Sequence, residues 1–580
     1  MIGFLLRDIL FFQIWRDKYL YKTIISFNDY DLISNAFEKR HAEQRVDRYK
    51  EFNSAKIRFK LNQEGDENVK LDDIKIKNLV IEGDNDRYLK VDGKMVPESV
   101  RFLSILPFQD CSIEIKSLDT LVFVTHLTFG YFFNGVVSKS MLPPLLTHLS
   151  FGASFNQYIG EDILPKSLTH LSFGSAFDRF ISPNTLPPHL RYLSFGSKFK
   201  QSLAHVPQSL THLVVGLSFV WEKGFEFPQS LLYIEFGKGL NMEGSLSGFK
   251  LPPKLVSLSI GPWMNTSIPM GFIPSSLRFL KVGACATRFD LEKDSLPASL
   301  TSIEFAKDFK LHIDQDIIPP SVTNVKWGLK YSQPLTVGMF PLSLIKLSFG
   351  YDNVSLPIPK GFIPDSVTSL ELHLNSTNQQ HLGEIIPSGV TYLSLSTTYP
   401  IPVGTIPNST KYLVLDNNHP LVPGLIPDSV THLTLGPSYN QPIQANSLPS
   451  SLKSLSFGLF FNQELTNLPS SVVSLSFGES FNRSIDTLST LTPNLKSLKM
   501  GLKFNQPINS LSPKLKQLRL NKTSFNSLIS SFPSSLEHLS LPPLYSLNLP
   551  PYPSLTTLEY REYRMKNHPY PSTIERLKLI

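Results

Sequence analysis

Cysteine is nearly absent from this chain of 580 residues: Cys111 and Cys285 are the only two. They lie far apart in sequence, which excludes a disulfide framework and leads us to expect reduced thiols in an intracellular compartment. Charge is also scarce at 18% of residues, and 55 Lys+Arg only modestly exceed 48 Asp+Glu. No run of about five like charges occurs, so the usual phosphate-binding arm is missing and nucleic acid is not an expected partner. Long hydrophobic runs are missing too. Phe4-Leu5-Leu6 and Ile9-Leu10-Phe11-Phe12 are interrupted by Arg7 and Asp8 and followed by Arg16, Asp17 and Lys18, so neither a secretory signal nor a membrane span is expected there. The Walker loop, the dinucleotide loop and the H-E-x-x-H zinc motif do not occur. These gaps favour a cytoplasmic, non-enzymatic protein with no cofactor, no metal, no membrane and no small-molecule substrate.

What is present is repetition. Leu142-Pro143-Pro144-Leu145-Leu146-Thr147-His148-Leu149-Ser150-Phe151-Gly152 is followed by Phe155-Asn156-Gln157, and the same line restarts 22 residues later at Leu164-Pro165. Aligned on the proline, apolar residues fall three, six and eight positions on: Leu168, Leu171 and Phe173 after Pro165, Val430, Leu433 and Leu435 after Pro427, Ile574, Leu577 and Leu579 after Pro571. This is the L-x-x-L-x-L spacing of leucine-rich repeats. The last two positions share one face of a strand, so Leu171 and Phe173 point inward and Ser172 outward. Proline has no N–H for a ladder and must precede the strand.

The expected fold is therefore mostly β: a leucine-rich-repeat-like solenoid of about 22-residue coils with one long parallel sheet, plus a small helical N-terminal segment. The expected division is a helical segment over residues 1–60, N-terminal cap strands over 61–95, and the repeat solenoid over 96–580. Period-two alternation sets in at Ile57-Arg58-Phe59-Lys60-Leu61, and Leu79-Val80-Ile81-Glu82-Gly83 reads as an eroded repeat strand. With so few residues per coil, extended segments and tight turns are expected opposite the sheet, with little room for helix.

Three further columns follow from the alignment. Gly174, Gly196, Gly458 and Gly478 come directly after the second inward residue, where positive φ or a close approach of coils requires glycine. Phe155, Phe177, Phe199, Phe461, Phe481 and Phe504 come three residues after it and are predicted to stack into a spine. Asn156, Asn462, Asn482, Asn505 and Asn526 follow the aromatic, where a buried amide would serve a free N–H and C=O of the adjacent coil.

Taken together, these residues resemble the FNIP repeat family, a leucine-rich-repeat-like group named for Phe-Asn-Ile-Pro. The nearest units are residues 142–159, 426–443, 448–465, 468–485 and 491–508, the last keeping Phe504-Asn505-Gln506-Pro507-Ile508, and the resemblance extends from about residue 96 to the end. The opening Phe11-Phe12-Gln13-Ile14-Trp15-Arg16-Asp17-Lys18-Tyr19-Leu20 is similar to the start of many family members. Units at Phe219-Val220-Trp221, Trp263-Met264-Asn265 and Cys285-Ala286-Thr287, and the stretch from Gln379 to Pro420, depart from the pattern. The resemblance implies a protein-interaction role. Because some members carry an F-box ahead of the repeats, it also implies an alternative, a ubiquitin-ligase substrate adaptor docking through its N-terminal helices.

Candidate contact residues lie in the outward columns that would line a concave surface. One reads His126, His148, His170, Tyr192, His212 and Tyr233, with His432 and His538 later, and the other is mostly serine, as at Ser150, Ser172 and Ser194. Histidines on successive coils suggest metal ligation by proximity, but a repeat consensus alone puts them there, and that reading is favoured. No Ser, His and acid stand out from the repetition as a triad. The expected function is a scaffold for protein partners.

Overall fold

The computed structural model describes residues 54–59, 77–83, 88–107, 112–221, 224–237, 250–261, 268–283, 291, 293–306, 313–328, 334–351, 358–374, 382–520, 524–542, 545–547, 549–550, 554–560 and 576–579. The helices expected over residues 1–60 lie outside these up to residue 53, as do the variant units at Trp263 and Cys285 and the Cys111 side chain. The chain divides into two compact units, Met1–Asp290 and Leu291–Ile580.

The first unit contains β1 (Ser54–Phe59), β2 (Asn78–Gly83), β3 (Tyr88–Asp92), β4 (Phe102–Leu106), β5 (Ser112–Lys116), β6 (His126–Phe129), β7 (His148–Ser150), β8 (His170–Ser172), β9 (Tyr192–Ser194), β10 (His212–Val215), β11 (Tyr233–Phe236), β12 (Ser257–Ile260) and β13 (Phe279–Val282). All but β3 and β5 form one parallel sheet in chain order, and β3 pairs with β5 in a small parallel sheet of its own. Among the described residues the ladder runs from Ser54, with no break where the repeats become recognisable near residue 96.

The second unit contains β14 (Ser302–Phe305), β15 (Asn324–Lys326), β16 (Lys346–Tyr351), β17 (Ser369–Leu374), β18 (Tyr392–Thr397), β19 (Tyr412–Asp416), β20 (His432–Leu435), β21 (Ser454–Ser456), β22 (Ser474–Ser476), β23 (Ser497–Lys499), β24 (Gln517–Arg519), β25 (His538–Ser540), β26 (Thr557–Tyr560) and β27 (Arg576–Leu579). Each pairs parallel with the next. Among the described residues helix is confined to single turns such as α1 (Leu382–Ile385) and α2 (Leu488–Leu491). Each unit is thus a mostly-β parallel solenoid.

The local chemistry of a coil explains its consensus. Proline stands before the strand and opens a turn with its carbonyl: Leu168 N donates to Pro165 O at 3.0 Å, and Val430 N to Pro427 O at 3.0 Å. The serine two residues after the proline donates to a main-chain carbonyl of the preceding coil, as Ser167 Oγ does to Leu146 O at 2.8 Å and Ser471 Oγ to Leu452 O at 2.7 Å. A buried carbonyl that has left the ladder is satisfied in this way. Three residues before the proline the chain turns through the left-handed region, at Asn184 (φ 61) and Gly404 (φ 87), where residues without bulky branching are tolerated.

The glycine column is explained by close approach. A Cβ on Gly174 would collide with the carbonyl of Gly152, one on Gly196 with that of Gly174, and one on Gly478 with that of Gly458, while none of these glycines has positive φ. Glycine thus lies on glycine, and the coils close over each other there. The aromatic spine forms, and it is double. Phe133, Phe155, Phe177 and Phe199 stack at 5.9, 5.9 and 6.1 Å between ring centroids, and the inward strand residues Phe129, Phe151, Phe173 and Phe195 stack beside them at 5.4, 5.6 and 5.5 Å. Within a coil the two stacks touch, at 3.9 Å for Phe173 and Phe177. In the second unit, Phe461, Phe481, Phe504 and Phe525 continue the same arrangement up to Tyr545.

The asparagines differ from expectation in burial and in direction. Asn156 and Asn462 are half-buried and Asn505 is exposed. Each uses Oδ1 to accept the backbone N–H of its counterpart one coil on: Asn440 from Asn462 N, Asn462 from Asn482 N and Asn482 from Asn505 N, all at 2.9 Å. The same oxygen also takes the amide of a following glutamine, as Asn440 does from Gln463 Nε2 at 3.1 Å. The carbonyl of the same turn is served from the next coil instead, as Asn440 O accepts from Gln463 Nε2 at 3.0 Å and Asn156 O from Arg179 Nε at 3.0 Å.

Because Phe177 is fully buried with rings above, below and beside it, Phe177→Ala is expected to destabilise the protein by about 3–5 kcal/mol. The measurement is the urea midpoint of the variant against wild type, with Phe177→Leu falling between.

Candidate binding face on the strands

Alternation along each strand gives every coil two outward positions, and parallel in-register pairing sets each on its equivalent in the next coil. His126 pairs with His148, His148 with His170, His170 with Tyr192, Tyr192 with His212, and His212 with Tyr233. All six sequence-predicted residues therefore meet in a single ladder, each half-buried. The imidazoles of His126, His148 and His170 stack at 4.0 Å with planes 12° and 10° apart, and the ladder continues at 5.8, 6.3 and 5.7 Å through Tyr192, His212 and Tyr233. Phe102 extends it at the other end, its ring 4.3 Å from His126. His432 belongs to the second unit and stacks on Tyr412 at 4.6 Å.

A threonine precedes each of these histidines and fixes its ring. Thr147 Oγ1 donates to Thr125 O at 3.0 Å, and Thr169 Oγ1 to Thr147 O at 3.1 Å. The same hydroxyls lie 2.9 Å from Nδ1 of His148 and His170. Each hydroxyl thus ties its imidazole to the main chain of the preceding coil, the roles of Oγ1 and Nδ1 depending on the tautomer. Thr125 with His126 and Thr211 with His212 repeat the arrangement.

The rings are held neutral. Burial, joined at His126 and His170 by the neighbouring imidazoles, draws His126 and His148 from 6.5 down to about 4 and His170 to about 3. Two kinds of chemistry are disfavoured as a result. Near-parallel stacked rings direct their lone pairs side by side, so they do not converge on one ion at the ~2.0 Å that metal–imidazole bonds require. Among the described residues no group of three His, Cys, Asp or Glu is arranged to hold a metal. In a hydrolytic triad a carboxylate orients Nδ1–H and stabilises the imidazolium, whereas here a neutral threonine oxygen occupies that place. The arrangement is suited to hydrogen bonding and to presenting ring edges.

Sequence reasoning missed the threonine partners, Phe102, and two further features. Tyr158 and Phe180 are exposed, with rings 5.2 Å apart, and border a cavity of about 350 Å³ that Asp178, Arg179 and Gln201 also line. Their signal is an aromatic residue two positions after Asn156 and Asp178, where Asn134, Asn440, Asn462, Asn482, Asn505 and Asn526 are followed by Val136, Pro442, Glu464, Ser484, Pro507 and Leu528. The second is a row of cations on the last coils of the second unit, visible in the sequence as Lys496-Ser497-Leu498-Lys499 and Lys516-Gln517-Leu518-Arg519.

Comparison with known proteins agrees with the repeat solenoid fold. The family model described as FNIP Repeat matches residues 155–198, 290–330, 331–375, 417–460 and 461–501. The crystal structure of CroV588, described as a novel circular LRR protein, is 30% identical over 84% of this chain and 72% of its own, with a TM-score of 0.55. YopM from Yersinia enterocolitica is 17% identical over 77% of this chain and 90% of its own. TLR13, in a complex with ssRNA13, is 17% identical over 88% of this chain and 71% of its own. The TM-scores of these two, 0.30 and 0.36, are too low to bear on the arrangement of this chain. No curated protein matches the chain.

The ladder makes stability depend on pH with a definite sign. The unfolded chain takes up protons at these histidines below 6.5, while the folded ladder resists them down to about 4 or about 3. Stability contributed by the neutral ladder is therefore full above 6.5, falls as the pH drops from there, and levels off below the folded values. Replacing His126, His148 and His170 with Ser is expected to flatten the decline of the urea midpoint between pH 6.5 and about 4 relative to wild type.

Proposed function

The chain belongs to the FNIP repeat family, and from that premise we propose that it is a non-enzymatic cytoplasmic scaffold that binds protein partners through the outward ladder of His126, His148, His170, Tyr192, His212 and Tyr233. The observation that carries this reading is the stacking itself: rings held 4.0 Å apart by the backbone and fixed by threonine hydroxyls form a preordered surface. Binding through such a surface freezes few side-chain rotamers, which is the main cost of forming a polar interface. Neutral imidazoles offer polar ring edges to the hydrogen-bonding groups of a partner, while the tyrosines and Phe102 add apolar ring area of the kind enriched at interface centres. Low basicity and the missing carboxylate at Nδ1 favour recognition over acid–base catalysis. Among the described residues no helix is long and apolar enough to cross a membrane.

The test uses the full chain as bait with quantitative mass spectrometry, wild type against H126S/H148S/H170S. Serine occupies the same column at Ser454 and Ser474, so the variant is expected to fold. At least one protein partner is expected to fall by about tenfold or more, roughly 1.4 kcal/mol of binding. An unchanged set of partners would sink the ladder as the binding surface.

A further inference from the structure

The face of β21–β24 is chemically unlike the histidine ladder. In the position just before each strand's first outward residue stand Lys453, Val473, Lys496 and Lys516, joined coil to coil by Val473 N to Lys453 O, Lys496 N to Val473 O and Lys516 N to Lys496 O, each at 2.8 Å. In the third strand position, Ser456 pairs with Ser476, Ser476 with Lys499, and Lys499 with Arg519. Lys453, Lys496, Lys499, Lys516 and Arg519 are all exposed. Like charges directly opposite each other on adjacent strands are destabilising, yet Lys499 and Arg519 occupy such a pair.

Little on this face compensates them. Glu537 lies one coil on and is engaged by Lys516, Nζ to Oε1 at 2.5 Å. Arg519 is oriented by a neutral group, the Gln517 amide, which with its oxygen turned inward accepts from Nε at 3.1 Å and Nη2 at 2.9 Å. Among the described residues no carboxylate pairs with Lys453, Lys496 or Lys499. With ~3.3 Å per residue along a strand, Lys496 and Lys499 bracket a strip about 10 Å wide, and successive coils repeat it at about 4.8 Å. The strip between the cations carries Ser454, Ser474, Ser497 and Gln517: small hydroxyls and an amide, able to bond peptide groups.

We propose that the outward face of β21–β24 docks an extended acidic polypeptide segment, with Lys496, Lys499 and Arg519 receiving its carboxylates. The face of these four strands has no aromatic side chain, so it lacks the stacking platform on which single-stranded nucleic acid binding relies. Charge and width therefore favour the peptide. This inference is independent of the histidine ladder, which lies in the other unit and uses no cation.

The test is fluorescence anisotropy of the full chain with a labelled peptide of alternating Asp and Glu, its Asn/Gln counterpart, and labelled oligouridylate. The acidic peptide is expected to bind, to weaken between about 0.05 and 0.2 M salt, and to lose about tenfold or more in affinity with K499E/R519E. K453Q/K496Q, which introduces no new charge, is expected to lose affinity in the same direction. H126S/H148S/H170S is expected to bind as wild type, which separates this surface from the ladder. The proposal is overturned if the acidic peptide does not bind, if it binds no better than its Asn/Gln counterpart, if neither lysine variant weakens it, or if oligouridylate is preferred.

Discussion

Parallel strands paired in register place each residue directly on its equivalent in the next coil, and the other features of the chain follow from this constraint. A position can hold only a side chain that tolerates a copy of itself about 4.8 Å away. Glycine satisfies this where carbonyls close over the next coil, as Gly174 does on Gly152. Phenylalanine satisfies it by face-to-face offset stacking, which allows both spines to run unbroken from Phe129 and Phe133 to Phe195 and Phe199. Asparagine satisfies it because its oxygen and the next coil's N–H are complementary at the same offset.

On the solvent face the same constraint selects chemistry. Burial holds His126, His148 and His170 as neutral rings, and at His126 and His170 the neighbouring imidazoles act in the same direction, so the three can stack at 4.0 Å. On the second unit the in-register pairing sets the exposed Lys499 directly opposite Arg519. Stacking therefore turns one coil's side chain into a surface of one kind: an imidazole-bearing aromatic strip in the first unit and a basic strip in the second.

Much of this was legible in the sequence because spacing alone fixes which residues face inward. The proline, the paired leucines, the glycine, the phenylalanine and the histidine ladder all lie where a period-two strand after a turn puts them. What stayed hidden depended on partners in another coil. Gly174 has an ordinary φ, so its role was close approach rather than chain reversal, a choice that the sequence left open. Asn462 was read as buried because an amide in a turn usually is, yet its turn lies at the rim. The threonine before each histidine was visible, but its role required knowing that its hydroxyl also bonds the preceding coil. Half of the basic strip lies outside the two columns that alternation identifies, since Lys496 and Lys516 stand one residue before the strand, while Lys499 and Arg519 occupy a column that is mostly serine elsewhere.

The inward columns can barely change, since a substitution at Phe177 or Gly174 disturbs the coil above and the coil below at once. The outward columns are where identity shifts along the array: the first from histidine and tyrosine on β6–β11 to serine on β21–β23 and glutamine on β24, the second from serine on β7–β9 to lysine and arginine on β23 and β24. A fold that fixes its interior by repetition can record specificity only where repetition lapses on the surface. On the binding reading proposed above, the change of column identity along the outward face, more than any single motif, is the part of this chain in which a choice of partner would be written.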